Sequence, residues 1–200
     1  MTDPSRTFRE EDLDFSFDAS WTVARQWDKE SVFLALRDRV PGSHGVDFVG
    51  VRAGKPSLFL IEVKDYRTSE DRGSTRDKVE NSGERLAELV GAKVRDTVAG
   101  LIGAARAARD PDWRSARLAL AGEQGDVWVV LWIEHAGLAS PAKVRRQRES
   151  VGAGVLQESI RRRCRWLHAR ALVCSRDGEC LPGLTVRSIA QAERAPGRRR

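Results

Sequence analysis

GVDFVGVRAGKPSLFLIEVKDYR, residues 45–67, contains two apolar runs, Gly45 to Val51 and Leu58 to Arg67, on either side of a Gly54-Lys55 turn signal. Two such runs about a turn predict a β-hairpin. With the turn centred there, Asp47 falls opposite Glu62, with Cβ atoms about 5 Å apart on one face. Lys64, two residues further on, points the same way. Val49, Val51, Leu58 and Leu60 share that face, and Val46, Phe48, Phe59, Ile61 and Val63 line the other. Both faces are apolar over most of the hairpin, as in a central strand pair covered by helices on each side.

Two carboxylates at the rim of such a surface repel each other and lose hydration, so a positive group must offset them. A divalent cation with oxygen ligands and a neighbouring ammonium would do so. Mg²⁺ takes one or two carboxylates, several waters and phosphate oxygens, which a paired Asp and Glu can begin. Such a cation lowers the pKa of water and neutralises charge on a phosphoryl oxygen, while Lys64 would orient or activate the attacking water. A structural ion cluster accounts for the same three residues without chemistry.

Asp47, fourteen intervening residues, then Glu62-Val63-Lys64 resembles the active-site signature of the PD-(D/E)XK nuclease superfamily, the restriction-endonuclease-like fold. The proline of that signature is Val46 here. The resemblance implies an α/β domain with a central mixed sheet of four to five strands flanked by helices, in an order of helix, three strands, helix, strand. It implies Asp47 and Glu62 as metal ligands, the Val63 carbonyl as a further one, Lys64 as the catalytic lysine, and Mg²⁺, replaceable by Mn²⁺, as cofactor. An inactive copy of the fold that binds nucleic acid or a partner protein is the alternative.

The rest of the chain reads in the order helix, strand, strand, long helix, strand, helix, strand, with the resemblance covering about residues 20 to 175. Ser20 can cap a helix running to about Arg39 and stopped by Pro41-Gly42. Its stripe of Val23, Trp27, position 30 and Leu34 places Glu30 as a lone acid among apolar neighbours. An arginine such as Arg37 could be its partner, while the resemblance makes Glu30 a fourth acid directed at the metal. Thr68 to Gly83 reads as a loop over the site.

Leu86, Leu89, Val90, Val94, Val98, Leu101, Ile102 and Ala105 recur at helical spacing, ended by Asp110-Pro111. Lys93 and Thr97 lie on or near that stripe, bordering the core or approaching the cleft. Val127 to Ile133 reads as a buried third strand finishing a meander, with Trp128 and Trp132 packed in the core. Pro141 to Leu167 is helical with an interruption near Gly152 and Gly154, Ala169 to Cys174 is a short strand, and Leu181 to Val186 adds an edge strand. Residues 1–19 read as a partly ordered arm, 20–186 as one nuclease-like domain and 187–200 as a basic, disordered tail.

The chain of 200 residues is 40% hydrophobic and 32% charged, which suits one globular domain. It has no run of eighteen apolar residues, and a polar, acidic start argues against a signal peptide. Cys164, Cys174 and Cys180 show no disulfide or zinc spacing, consistent with reduced thiols in a cytoplasmic protein. The net charge of +6 is concentrated: between Pro141 and Arg170 nine Lys and Arg face two Glu. Arg145, Arg146, Arg148, Arg161, Arg162, Arg163 and Arg165 therefore form a phosphate-binding face for DNA, or else an ordinary solvated one. Together these readings predict a metal-dependent DNA phosphodiesterase with a role in phage defence, restriction or repair. A short chain without a specificity module also points to a second copy or a partner subunit.

Overall fold

The computed structural model describes residues 5–67, 74–107, 110–122, 125–134, 142–176 and 181–189. The expected hairpin forms from β4 (Phe48–Arg52) and β5 (Ser57–Asp65), and Gly54 turns the chain at φ +83°, a conformation that glycine adopts without strain. Phe48 pairs with Ile61 and Val51 with Leu58, so the ladder continued by one residue sets Asp47 opposite Glu62. β5 is buried along most of its length because it lies in the middle of a five-stranded mixed sheet.

That sheet has the order β3-β4-β5-β6-β7, with β3 at Trp21–Gln26, β6 at Val127–Glu134 and β7 at Arg170–Cys174. β3, β4 and β5 run antiparallel, whereas β5, β6 and β7 run parallel. The third strand read from the sequence therefore does not finish a meander. The connection through α2 (Ser74–Ala107) and α3 (Pro111–Ala121) is a helical crossover, which returns the chain to the same end and makes β6 parallel to β5. Asp110 caps α3 by accepting from the Asp112 N–H at 2.9 Å.

The helix expected over residues 20–39 is replaced by β3, a 3-10 turn at Trp27–Lys29 and a shorter α1 (Ser31–Arg39). Positions 23 and 27 share a face in either a helix or a strand, so that spacing cannot separate the two. Tertiary pairing decides it, since β3 supplies the neighbour that β4 needs on its outer side. Part of the loop expected at 68–83 is helix from Ser74 onward, and residues 68–73 lie outside the described ones. The helix read at 141–167 runs unbroken as α4 (Ala142–Arg163), which bridges β6 and β7.

Among the described residues the helices pack on one face of the sheet. There Val49, Val51, Leu58 and Leu60 pack with Phe33 of α1, Val94 and Leu101 of α2, Trp113 of α3 and Ile160 of α4. At Gly100 a Cβ would stand 2.8 Å from the Trp27 ring, so glycine allows α2 to seat against it. The other face is covered by a second sheet, β1-β2-β8, made of β1 (Arg6–Glu10), β2 (Leu13–Phe17) and β8 (Leu184–Ser188). Leu13, Phe15 and Phe17 alternate inward and are fully buried against Phe48, Phe59, Ile61 and Trp132. Residues 6–17 are thus a strand pair rather than an arm, because Phe48, Ile61 and Trp132 need a covering layer that the helices do not reach.

Candidate functional site

Asp47 is the residue before β4, and its position is fixed from three directions. Its carbonyl accepts from Trp27 N–H at 2.8 Å, while the neighbouring Val46 N–H donates to Thr97 Oγ1 of α2 at 3.0 Å. Its side-chain Oδ2 accepts the Val63 N–H of β5 at 2.6 Å. Because the N–H and C=O of a strand residue leave on the same side, the Val63 carbonyl faces the Asp47 side of β5.

Glu62 and Lys64 occur two residues apart on β5 and meet at 2.7 Å. Glu62 is almost wholly buried, and a second ammonium reaches it from α2: Lys93 Nζ lies 2.7 and 2.8 Å from its two carboxylate oxygens. The same Nζ is 4.0 Å from Asp47 Oδ1. Burial works to strip the Lys64 proton, but the Glu62 carboxylate, helped by Asp47, outweighs it and raises the lysine's pKa. Lys64 is consequently held as an ammonium.

Glu10 of β1 and Asp28 of the 3-10 turn also stand close to Asp47. One oxygen from each of Glu10, Asp28 and Asp47 lies within 4.8 Å of the others. Glu10 is supported by Gln26 Nε2 at 2.6 Å and Lys29 Nζ at 3.2 Å. Asp28 Oδ1 is buried with no hydrogen-bond partner among the described residues. Burial raises the Asp28 pKa, with the Glu10 charge adding to it. Asp47 is pushed up to about 7, first by burial and then by the charge of Glu62. Among the described residues, the four carboxylates Glu10, Asp28, Asp47 and Glu62 here face the three ammonium groups of Lys29, Lys64 and Lys93, which leaves one negative charge in excess. An orphaned oxygen within an all-carboxylate donor set fits a hard divalent ion such as Mg²⁺ or Mn²⁺.

Asp47, Glu62 and Lys64 are thus brought together, as the sequence suggests. Glu30 is not part of that group. It precedes α1, and its carboxylate faces Arg25 at 3.4 Å, beside Asp110 and Asp112, which the same arginine also binds. The turn of backbone at residues 27–29, in place of the expected helix, presents Asp28 to the site instead. If this cluster holds a divalent cation, Glu30→Gln should leave Mn²⁺ affinity unchanged, whereas Asp28→Asn should weaken it about tenfold or more in a calorimetric titration.

Of the arginine face, Arg161 pairs with Glu158 at 2.8 Å, and Arg162 and Arg163 reach Glu84 of α2 at 3.4 and 2.7 Å. Their side chains remain 41 to 63% exposed, and Arg165 is exposed. Arg145, Arg146 and Arg148 lie in α4, but their side chains are outside those the structure describes. Arg163 packs at Gly91, two residues from Lys93, so the basic end of α4 adjoins the site helix. A depression lined by Arg52, Lys55, Phe59 and Trp128 lies by the start of β5 and holds none of the site acids. Asp65 and Arg67 pair with each other, and Trp132 is buried with its Nε1 donating to Glu134 at 3.0 Å. Cys164 and Cys174 are both buried. Among the described residues no helix is long and apolar enough to cross a membrane.

Sequence reasoning misses Glu10, Asp28 and the role of Lys93. Lys93 is read there as bordering the core or approaching the cleft, with nothing to choose between the two, and Glu10 stands only as one acid among several near the start of the chain. Searches of protein-family models, curated proteins and solved structures match nothing to this chain.

Proposed function

We propose that the protein is a Mg²⁺- or Mn²⁺-dependent nuclease that hydrolyses phosphodiester bonds in DNA, built on a restriction-endonuclease-like core. The observation that carries this reading is the convergence of Asp47, Glu62 and Lys64 with the further acids Glu10 and Asp28 around one buried corner. Part of the element order supports it: three antiparallel strands, a helical crossover and a parallel strand agree with the order that the resemblance implies, whereas α1 lies between the first two of those strands and not before them. The site also lies towards the carboxyl end of the parallel pair β5 and β6, where α/β sheets place their ligands.

Asp47 would hold the cation together with Glu62, Glu10 and Asp28. When bound, such a cation makes water more acidic and offsets charge on the phosphoryl oxygens. The protein's own part is positioning and charge. Lys64, kept protonated by Glu62, donates to the attacking water or to a phosphoryl oxygen and cannot take the water's proton while it does so. Hydrolysis forms a bond from the water oxygen to phosphorus and breaks one ester P–O bond, and the proton that the attacking water gives up ends on the departing ester oxygen. Arg161, Arg162 and Arg163 offer backbone contacts, because exposed ion pairs are weak enough for phosphate to compete with Glu84 and Glu158.

Supercoiled plasmid should be nicked by the purified protein in Mg²⁺ or Mn²⁺ and left intact in EDTA. One observation favours the rival reading of a non-catalytic module that binds nucleic acid or a protein: Lys64 and Lys93 already neutralise Glu62 without a metal. DNA binding with no turnover in either metal would establish that rival. For the arginine face, changing Arg161, Arg162 and Arg163 together to Ala should weaken DNA binding. The slope of log affinity against log salt should flatten by about 0.9 for each phosphate that the protein no longer neutralises. An unchanged slope would leave these residues as surface ion pairs only.

A further inference from the structure

Glu62 carries two ammonium groups, and only one of them is required by the spacing on β5. Lys64 is tied to its carboxylate through the strand, two residues away, and stays beside it whatever else binds. Lys93 arrives from a different element. It sits one turn before Thr97 on α2, on the same helix face, and the hydrogen bond of Thr97 with Val46 N–H locks that turn of helix against the Asp47 segment. Held there, Lys93 Nζ touches both oxygens of Glu62 and lies 4.0 Å from Asp47 Oδ1. It thus takes up the position between the two carboxylates that a shared divalent cation would take.

The Lys93 side chain is 24% exposed, against 2% for the Glu62 it covers. Its ammonium is therefore at the rim, with a flexible four-carbon stem and a route outward. In the metal-free protein it lessens the repulsion between two desolvated acids that would otherwise face each other across the ladder. Divalent cation and ammonium compete for the same oxygens, and the phosphate brought to the site is the group that can receive the displaced charge.

We propose that Lys93 is a built-in occupant of the cation position between Asp47 and Glu62, which yields to the divalent ion and then turns to the substrate phosphate. This rests on the nuclease reading of the same site. It makes Lys93 a residue with opposite effects on two measurable steps. While it occupies the site it opposes metal binding, and once displaced it stabilises charge on the phosphoryl group.

The test is Lys93→Met, which keeps the stem and removes the charge. Mn²⁺ titrated calorimetrically into the variant should bind about tenfold more tightly than into wild type, because a competing unit charge is gone. Nicking at saturating Mn²⁺ should be slower by about a hundredfold. Affinity unchanged or weakened would overturn the occupant role, and undiminished nicking would overturn the turn toward phosphate. Lys93→Arg covers the case in which the methionine variant does not fold. Its guanidinium grips a carboxylate bidentately, so Mn²⁺ affinity should fall, and equal or tighter binding would overturn the proposal. The two readings fail separately. A wild-type protein that binds no Mn²⁺ sinks both, tighter Mn²⁺ binding by the variant with no cleavage by either protein sinks the nuclease and the turn toward phosphate but keeps the occupant role, and a wild type that binds and cuts just as Lys93→Met does sinks only the role of Lys93.

Discussion

Asp47→Asn should reduce metal-dependent nicking by roughly a thousandfold or more, while making the metal-free protein more stable than wild type above pH 7. Burial, reinforced by the charge of Glu62, pushes the Asp47 carboxyl up to about 7 from its ordinary 3.8. The folded protein therefore keeps a proton that the unfolded chain has already released between about pH 4 and pH 7. Stability falls as pH rises through that window, and above it the full penalty is present, on the order of a few kcal/mol. Asparagine is neutral at every pH and still offers an oxygen to the Val63 N–H. Denaturation midpoints in EDTA should thus agree for the two proteins below pH 4 and diverge in favour of the variant at pH 8. Added Mn²⁺ should reverse the order at pH 8, because only the carboxylate gains a cation. Equal midpoints at both pH values would mean that Lys93 already compensates the Asp47 charge. A variant that nicks as fast as wild type would remove Asp47 from the chemistry.

The part of this site that is legible from the sequence is the part set by local geometry. Strand side chains repeat every two residues and a glycine turn fixes register, so Asp47, Glu62 and Lys64 can be placed on one face from the sequence alone. Glu10 and Asp28 cannot, because β1 reaches Asp47 only through the packing of one sheet on another, and such packing leaves no periodic trace. Glu30 stands out only if a helix occupies the place of β3, and Val23 and Trp27 satisfy both periods. Once the chain instead turns at residues 27–29, the acid two residues earlier is the one presented. The amphipathic stripe of α2 is plain, yet nothing in that stripe says that Lys93 will meet a carboxylate on β5. The covering layer is foreshadowed by the alternation of Leu13, Phe15 and Phe17 with Asp14 and Ser16, a strand pattern in a segment whose charge suggests an arm.

That alternation has the second large consequence. Removing residues 1–18 should abolish cooperative folding, in contrast to the loss of an arm, which would leave the melting curve unchanged. β2 is the central strand of the second sheet, paired with β1 on one side and β8 on the other. Without it β8 has no strand to pair with, and Phe48, Ile61 and Trp132, now buried beneath Leu13, Phe15 and Phe17, would meet water. Each large apolar side chain so exposed costs about 1.5 to 3 kcal/mol, and several together match the whole stability of an ordinary domain. The milder Phe15→Ala should lower the unfolding free energy by about 3 to 5 kcal/mol, since Phe15 is fully buried, with ring centroids 4.9 Å from Phe48 and 5.6 Å from Trp132. Because Glu10 is carried on β1, the truncated chain should also lose Mn²⁺ binding under conditions where Phe15→Ala, still folded, retains it. Thermal melts followed by circular dichroism, with Mn²⁺ calorimetry on the same samples, measure both effects. A truncated protein with the wild-type melting temperature and wild-type Mn²⁺ affinity would show that the strand pair neither covers the sheet nor serves the site.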